Sequence, residues 1–253
     1  MRQIVFGQQW IHSEEPPEIK EIFFKYGEKR KLKKGQELLH GGPFGEIGYL
    51  LKGLCFYRFW DWNDNEHVFA LILPKRCMGD IDGASCTVAN VSAYVVKDGE
   101  ALFLPYEVWH REITANTRIL EIFTAHVVKK QESQIEALLS CFTMEVDMRL
   151  ISLFQALIKA HYPLKPDGWN PLPVQLNTVM LSKIISSSRT SVSLQLSEWA
   201  NKGLVKKDGK FLLLHGELFS KVFDWWENRN DEKEKMRGRI ISSLNDMPQE
   251  EKN

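Results

Sequence analysis

The 253-residue chain has no net charge, with 33 Lys and Arg against 33 Asp and Glu. Such a chain has no global field to draw it onto nucleic acid or membrane, so any basic surface must be local. Cysteine is sparse: Cys55, Cys77, Cys86 and Cys141 are the four, and no two have C-x2-C spacing. That excludes the usual zinc and dithiol motifs and predicts reduced thiols in a cytoplasmic protein. No basic start leads into an apolar run, so no signal peptide is expected. No run of 18 apolar residues occurs, so no membrane partner is expected. Internal repeats are also missing.

What is present suffices for a packed core. Apolar residues make up 43% of the chain, and its length fits one large domain or two modest ones at about 150 residues each. Ser13, then acids and prolines, lead into Ile19, Ile22 and Phe23, predicting a short helix with a proline-favoured start. Over residues 28–105, β-prone runs (YLL, CFYRFW, HVFALIL, SAYVV, ALFLP) alternate with turn residues, which predicts an antiparallel sandwich or roll. KDGE at 97–100 reads as a tight hairpin, because Asp-Gly tolerates the positive φ angles of a type I′ turn.

After Pro105 the pattern turns helical, beginning with YEVWHREI. Residues 117–144 hold no Gly or Pro. Val128, Ile135 and Phe142 recur every seven residues, with Gln131 and Leu138 between them. This is an a/d seam with one polar break. A helix of that length spans about 40 Å. The seam predicts a homodimer interface at Val128, Gln131, Ile135, Leu138 and Phe142, leaving Ile119, Ile122 and Phe123 for the sheet. Val146, Leu150, Leu153 and Leu157 predict a further helix over 145–161, and HYPLKPDGWNPLPVQ then reads as a loop. Residues 217–253 begin as a helix and end in a charged segment.

The stretch between 176 and 215 reads as a DNA-binding head. Thr178 is the expected N-cap of a helix carrying Leu181, Ile184 and Ile185. Three serines at 186–188 break it, since Ser competes for its own backbone groups. A second helix starts near Arg189, buries Val192, Leu196 and Trp199, and ends at Gly203. VKKDGKFLLL then predicts a hairpin wing with Asp208-Gly209 at its tip. Six Lys/Arg stand against two acids in this stretch, a local excess of four positive charges, which suits phosphate contacts. The expected DNA contacts are Thr178, Ser188, Arg189, Thr190, Ser191, Ser193, Leu194, Lys206, Lys207 and Lys210, with Arg189 on a guanine edge.

These segments together resemble the Crp/Fnr transcription regulators over residues 20–215. LKKGQELLHGGPFGEIGYLLKG looks like the family's first strands, with Gly35, Gly42 and Gly53 in register. LPKRCMGD is similar to its Pro-Gly-Asp-x-x-Gly-Glu turn, and SSSRTSVSLQLSEWANKGLV to its recognition helix. The resemblance implies an α+β fold: an N-terminal antiparallel β-roll (a double-stranded β-helix like the cyclic-nucleotide-binding domain), a long dimerisation helix and a C-terminal winged helix-turn-helix. The corresponding divisions are 1–116, 117–144, 145–216 and a tail at 217–253. The implied partners are a near-palindromic DNA operator, a second copy of the chain, a small-molecule effector and RNA polymerase.

Departures from the family pattern narrow the effector. Thr190 and Leu194 stand where the recognition helix often has Glu and Arg, and Ala89 and Asn90 stand where cyclic-nucleotide binders place Arg and Ser or Thr. Residues 1–50 hold no cysteine for an iron–sulfur cluster, and no His follows the turn to hold haem. The expectation is therefore a non-nucleotide organic effector and no metal or other cofactor. Its expected site is Gly79, Asp80, Ala89, Asn90, Tyr94, Lys130, Gln134 and Ile135, with Tyr57, Trp60 and Trp62 as further aromatic wall and Lys130 meeting an acidic group. Two alternatives stand beside this: a DNA-binding protein with a vestigial roll, and a cupin-like metal enzyme. The enzyme is disfavoured because His40, His67 and His110 are scattered and no His-x-His with a following Glu occurs.

Overall fold

The computed structural model describes residues 9–40, 45–85 and 91–220. Cys86, Ala89, Asn90 and the helix expected at Val222 to Trp226 lie outside the described residues. In chain order the elements are α1 (Pro17–Tyr26), β1 (Glu28–Leu32), β2 (Glu37–His40), β3 (Glu46–Trp60), β4 (Glu66–Ile72), β5 (Cys77–Met78), α2 (Asp80–Ser85) and β6 (Ser92–Pro105). There follow α3 (Tyr106–Thr114), α4 (Thr117–Thr143), α5 (Val146–Lys159), β7 (Trp169–Pro171), α6 (Thr178–Ile184), α7 (Arg189–Asn201), β8 (Val205–Asp208) and β9 (Phe211–His215).

The first sheet is antiparallel, in the order β1-β6-β3-β4, with β2 added to β6 and β5 to β3. Its spine is the pairing of the two long strands β3 and β6, whose register shifts three times between Leu50 and Cys55. The KDGE stretch lies here, so the expected hairpin is corrected. Asp98 and Gly99 sit inside β6, and Gly99 pairs with Leu32 of β1. Gly99 is required for space rather than for positive φ: a Cβ on it would lie 1.9 Å from the Lys52 carbonyl oxygen. The facing Gly53 does take positive φ, at 107°, so two glycines let bent strands approach backbone to backbone.

Helix α1 starts at Pro17, whose missing N–H costs nothing in a first turn, and buries Ile19, Ile22 and Phe23. Trp109 of α3 meets Phe123 of α4 edge to face at 4.9 Å, so the start of the long helix is fixed on the sheet. The Asn116 side chain accepts the Arg118 N–H and caps that start. A continuous apolar cluster then joins Trp10, Ile11, Phe56, Val68 and Leu71 to Leu150, Phe154, Leu181, Ile185 and Trp199. Roll and head therefore share a core rather than hanging from a bare linker.

The head carries its own sheet, β7-β9-β8. Strand β7 lies inside the stretch read as loop, which is a second correction. It has three residues and sits at an edge, where Pro171 removes no needed donor. The buried Asn170 side chain secures it by accepting from the Lys165 N–H and donating to the Lys165 carbonyl.

Candidate nucleic-acid interface and sensing region

Helices α6 and α7 meet at a turn in which Ser186 adopts φ 49°. Arg149 of α5 donates to the carbonyls of Ile185 and Ser186, both at 3.1 Å, and so satisfies the exposed end of α6. The cap of α6 is Asn177, which accepts the Met180 N–H at 2.8 Å; Thr178 is the first helical residue. The Thr178 cap is thereby corrected: Asn and Thr are adjacent, and the better capping residue took the position. Ser188 caps α7 by accepting the Ser191 N–H at 2.9 Å.

The two sides of α7 then separate by chemistry. Val192 and Trp199 are buried, with Phe154 of α5 edge-on to Trp199. Ser188, Arg189, Thr190, Ser193 and Leu194 are exposed, and Ser191 half-buried. Leu194 is the odd member of this face, being apolar and two-thirds exposed. In the wing, Asp208 pairs with Phe211, so the tip is Gly209-Lys210, with Gly209 at φ 57°. Lys206, Lys207 and Lys210 are all exposed. Lys206 lies over the Trp169 ring at 3.9 Å.

Not all of the local positive charge is free. Lys202 pairs with Glu198 one turn away, and Lys183 pairs with Glu66 of β4. The second pair ties α6 to the roll. The charge open to solvent is thus Arg189 plus the wing. Lys207 and Lys210 also line a cleft of about 1080 Å3 between wing and roll, facing Lys34, Lys52 and Lys97.

The region expected to hold an effector departs furthest from expectation. Residues 9–15 pass between the sheet and α4. Trp10 O accepts the Leu71 N–H at 2.6 Å, Ile11 bridges Leu71, and Glu15 N–H donates to the Lys75 carbonyl at 2.9 Å. Trp10, Ile11 and His12 are buried. The sequence places Lys130 ready for an acidic ligand. The structure instead buries it completely and gives its ammonium to Glu15 and Asp80, at 2.5 and 2.7 Å. A fully buried ammonium must be paired, and these two carboxylates are within reach.

Electrostatics keep this cluster ionised. Burial would raise the Glu15 carboxyl, but the Lys130 charge and the His126 contact outweigh it and hold the group well below the usual carboxylate range. For Lys130, burial opposes the charged form, and Asp80 and Glu15 override it. His12 goes the other way: burial first, then the Lys130 charge, lower it to about 3, so its ring is neutral at pH 7. Gln134 then donates to His12 Nε2 at 3.0 Å, which leaves the proton on Nδ1.

Of the other residues expected at the effector site, Gly79 and Tyr57 join this cluster, whereas Tyr94 and Ile135 do not. Gly79 donates its N–H to the Tyr57 hydroxyl at 2.6 Å, beside Asp80. Tyr94 lies elsewhere, beneath the Arg58 guanidinium at 3.9 Å. Ile135 is on the outer face of α4, half exposed. Of the aromatic wall, Tyr57 is buried, Trp60 lies against the Arg58 guanidinium at 4.7 Å, and Trp62 is 94% exposed in the turn between β3 and β4. Sequence reading took Ser13 and the acids after it only as the lead into α1 and gave residues 9–15 no place at this site. Their available signal was the apolar Trp10-Ile11 pair ahead of Pro16-Pro17.

The outer face of α4 carries Val128, Ile135, Leu138 and Phe142, all exposed, with Gln131 half-buried beside them. The inner face holds Phe123, His126, Lys130, Ser133, Glu136, Ala137 and Ser140, all buried. Among the described residues no helix is long and apolar enough to cross a membrane, and no three His, Cys, Asp or Glu are placed to hold a metal ion.

No family model matches the chain, and no curated protein matches it. Solved structures do. The c-di-GMP responsive global regulator CLP of Xanthomonas campestris aligns at a TM-score of 0.62 and 18% identity, covering 78% of this chain and 98% of that one. CprK in complex with OCPA aligns at 0.60 and 14% identity, over 84% and 98%. TTHA1359 of Thermus thermophilus, a transcriptional regulator of the CRP/FNR family, aligns at 0.57 and 18% identity, over 74% and 93%. The chain has the fold of the Crp/Fnr transcriptional regulators: an α+β structure with an N-terminal β-rich unit, a long helix and a helix-turn-helix with a wing.

Proposed function

We propose that the chain is a non-enzymatic, homodimeric transcription regulator that reads DNA through α7 and whose DNA affinity is set by a small organic effector at the junction of roll and α4. The observation that carries the DNA-binding reading is the division of α7. Its inner side is packed into the core, and its outer side offers a capped N-terminus with Ser188, Arg189, Thr190 and Ser193 beside a lysine-bearing wing. Short hydroxyls and helix N-termini suit phosphate, and an exposed arginine suits a guanine edge. The outer face of α4 supports the dimer, since four large apolar side chains on one helix face want a partner. That CprK was solved with OCPA and that CLP is called c-di-GMP responsive lend weight to effector control of this fold. Here Arg58 and Arg76 of the roll already have partners: Arg58 pairs with Glu37 and Glu66, and Arg76 donates to the carbonyls of His12 and Pro74. This favours a non-nucleotide effector. The test is binding of Arg189→Ala to a panel of operator variants. The expected result is a loss of about 1–3 kcal/mol confined to one base pair per half-site; a uniform loss across the panel refutes base reading by Arg189.

A second reading, DNA binding without an effector, is favoured by one observation: residues 9–15 fill the space between sheet and α4. Titration of the protein–DNA complex with cyclic AMP, cyclic GMP and a panel of aromatic acids and phenols separates the two. No change in DNA affinity with any of them supports the effector-free reading.

A further inference from the structure

Lys130 has two carboxylate partners that differ in kind. Asp80 begins α2 on the roll, whereas Glu15 sits on a segment that belongs to neither sheet nor helix. The Glu15 carboxylate is nevertheless received as a ligand would be. Its Oε1 accepts from Lys130 Nζ at 2.5 Å and from the Cys77 backbone N–H at 2.9 Å. Its Oε2 lies 3.0 Å from His126 Nε2 without being aligned for a hydrogen bond. An ammonium, an amide and an imidazole converging on one carboxylate make a built anion site.

Two features indicate that the occupant can leave. Lys130 keeps Asp80 when Glu15 departs, so the buried ammonium is never stranded. The fit of residues 9–15 is also incomplete: His12 Nδ1 and Asp80 Oδ1 are buried without a hydrogen-bond partner, which native interiors seldom allow.

We propose that Lys130, His126 and the Cys77 amide form a carboxylate-binding site held in this structure by the chain's own Glu15, and that a carboxylate effector competes with residues 9–15 for it. This rests on the reading of the chain as an effector-responsive regulator. The ligand class follows from the occupant. Glu15 supplies one carboxylate, and Trp10 and Ile11, both fully buried, supply an apolar body. A small monocarboxylate with an apolar or aromatic group reproduces both. Because Lys130 lies on α4, exchange of the occupant bears on the helix that also carries the outer apolar face.

The test uses the full chain with Glu15→Ala, which removes the resident carboxylate, and acetate as the probe. Thermal unfolding is followed with sodium acetate against sodium chloride at equal ionic strength. Acetate is expected to raise the melting temperature of Glu15→Ala by several degrees, increasing with concentration as for a ligand bound to the native state, and to leave the wild type unmoved. Equal responses to acetate and chloride, or equal responses of variant and wild type, overturn the site. Should Glu15→Ala fail to fold, Glu15→Gln keeps the shape and removes the charge. Hydrogen exchange of residues 9–16 is then expected to quicken about tenfold or more while β3 and β6 stay protected; unchanged exchange overturns the proposal. DNA affinity of wild type and Glu15→Ala is measured in parallel, with a shift of about tenfold or more expected. Acetate rescue without that shift overturns the effector role. Absence of DNA binding by either protein overturns the proposed function instead.

Discussion

The two faces of α4 reverse the usual pattern of a surface helix. Its outer face presents Val128, Ile135, Leu138 and Phe142 to solvent, the last 78% exposed, whereas its inner face buries His126, Lys130, Ser133, Glu136 and Ser140 alongside only two apolar side chains, Phe123 and Ala137. An ordinary amphipathic helix does the opposite. Each face is intelligible only through what it meets. The outer face calls for an apolar partner, as a heptad seam does. The middle of the inner face is polar because it meets Gln9, His12 and Glu15 of the segment 9–15 and Asp80 of α2. In the proposed dimer, one helix thus joins an interface between copies to an ionic cluster within one copy.

The strongest way to break this comparison is to strike the inner face. Lys130→Met strands Glu15 and Asp80 as buried carboxylates without their cation, and about 3–5 kcal/mol of stability should be lost in denaturant unfolding. Adding Glu15→Gln and Asp80→Asn should restore much of it, and no restoration would show that Lys130 acts through packing. On the outer face, Leu138→Lys puts a charge into the apolar seam. The variant should sediment as a monomer and lose specific DNA binding while keeping its fold. A dimer that survives Leu138→Lys places the interface elsewhere.

Acidification sharpens the contrast, because only the inner face titrates. His12 is held neutral, its value lowered to about 3, whereas in the unfolded chain it takes a proton near pH 6.5. Between those values the unfolded state binds more protons, so this contribution to stability is full above about pH 6.5 and is lost as pH falls. Glu15 adds a loss at lower pH, below its ordinary unfolded value near 4.3. Stability should therefore decline from about pH 6.5 downwards, and His12→Gln should flatten the upper part of that decline in pH-dependent unfolding. The smallest effect expected is at the head: Asn177→Ala should cost about 1 kcal/mol and Thr178→Ala less, since only Asn177 caps α6.

Legibility in the sequence followed the range of the interactions. Helices α1, α3, α4 and α5 came through because periodicity and caps are local, and so did α7 with Gly203 and the wing. KDGE misled because Gly serves both positive φ and close approach, and only the partner strand at Lys52 decides which. Strand β7 escaped because three residues at a sheet edge, one of them Pro171, carry no alternation. The inner face escaped for a deeper reason. Lys130 and Glu15 are 115 residues apart, and Lys130 and Asp80 are 50. A lysine at a buried helix position is indistinguishable in sequence from a lysine awaiting a ligand.

Selection of sequences from a random duplex library by the purified protein tests the central claim most directly. The account predicts enrichment of a near-palindrome whose half-sites lie about one helical turn, roughly 34 Å, apart, recovered by wild type and not by Leu138→Lys. A library that emerges without an enriched sequence, or a single half-site recovered equally by both proteins, would contradict it.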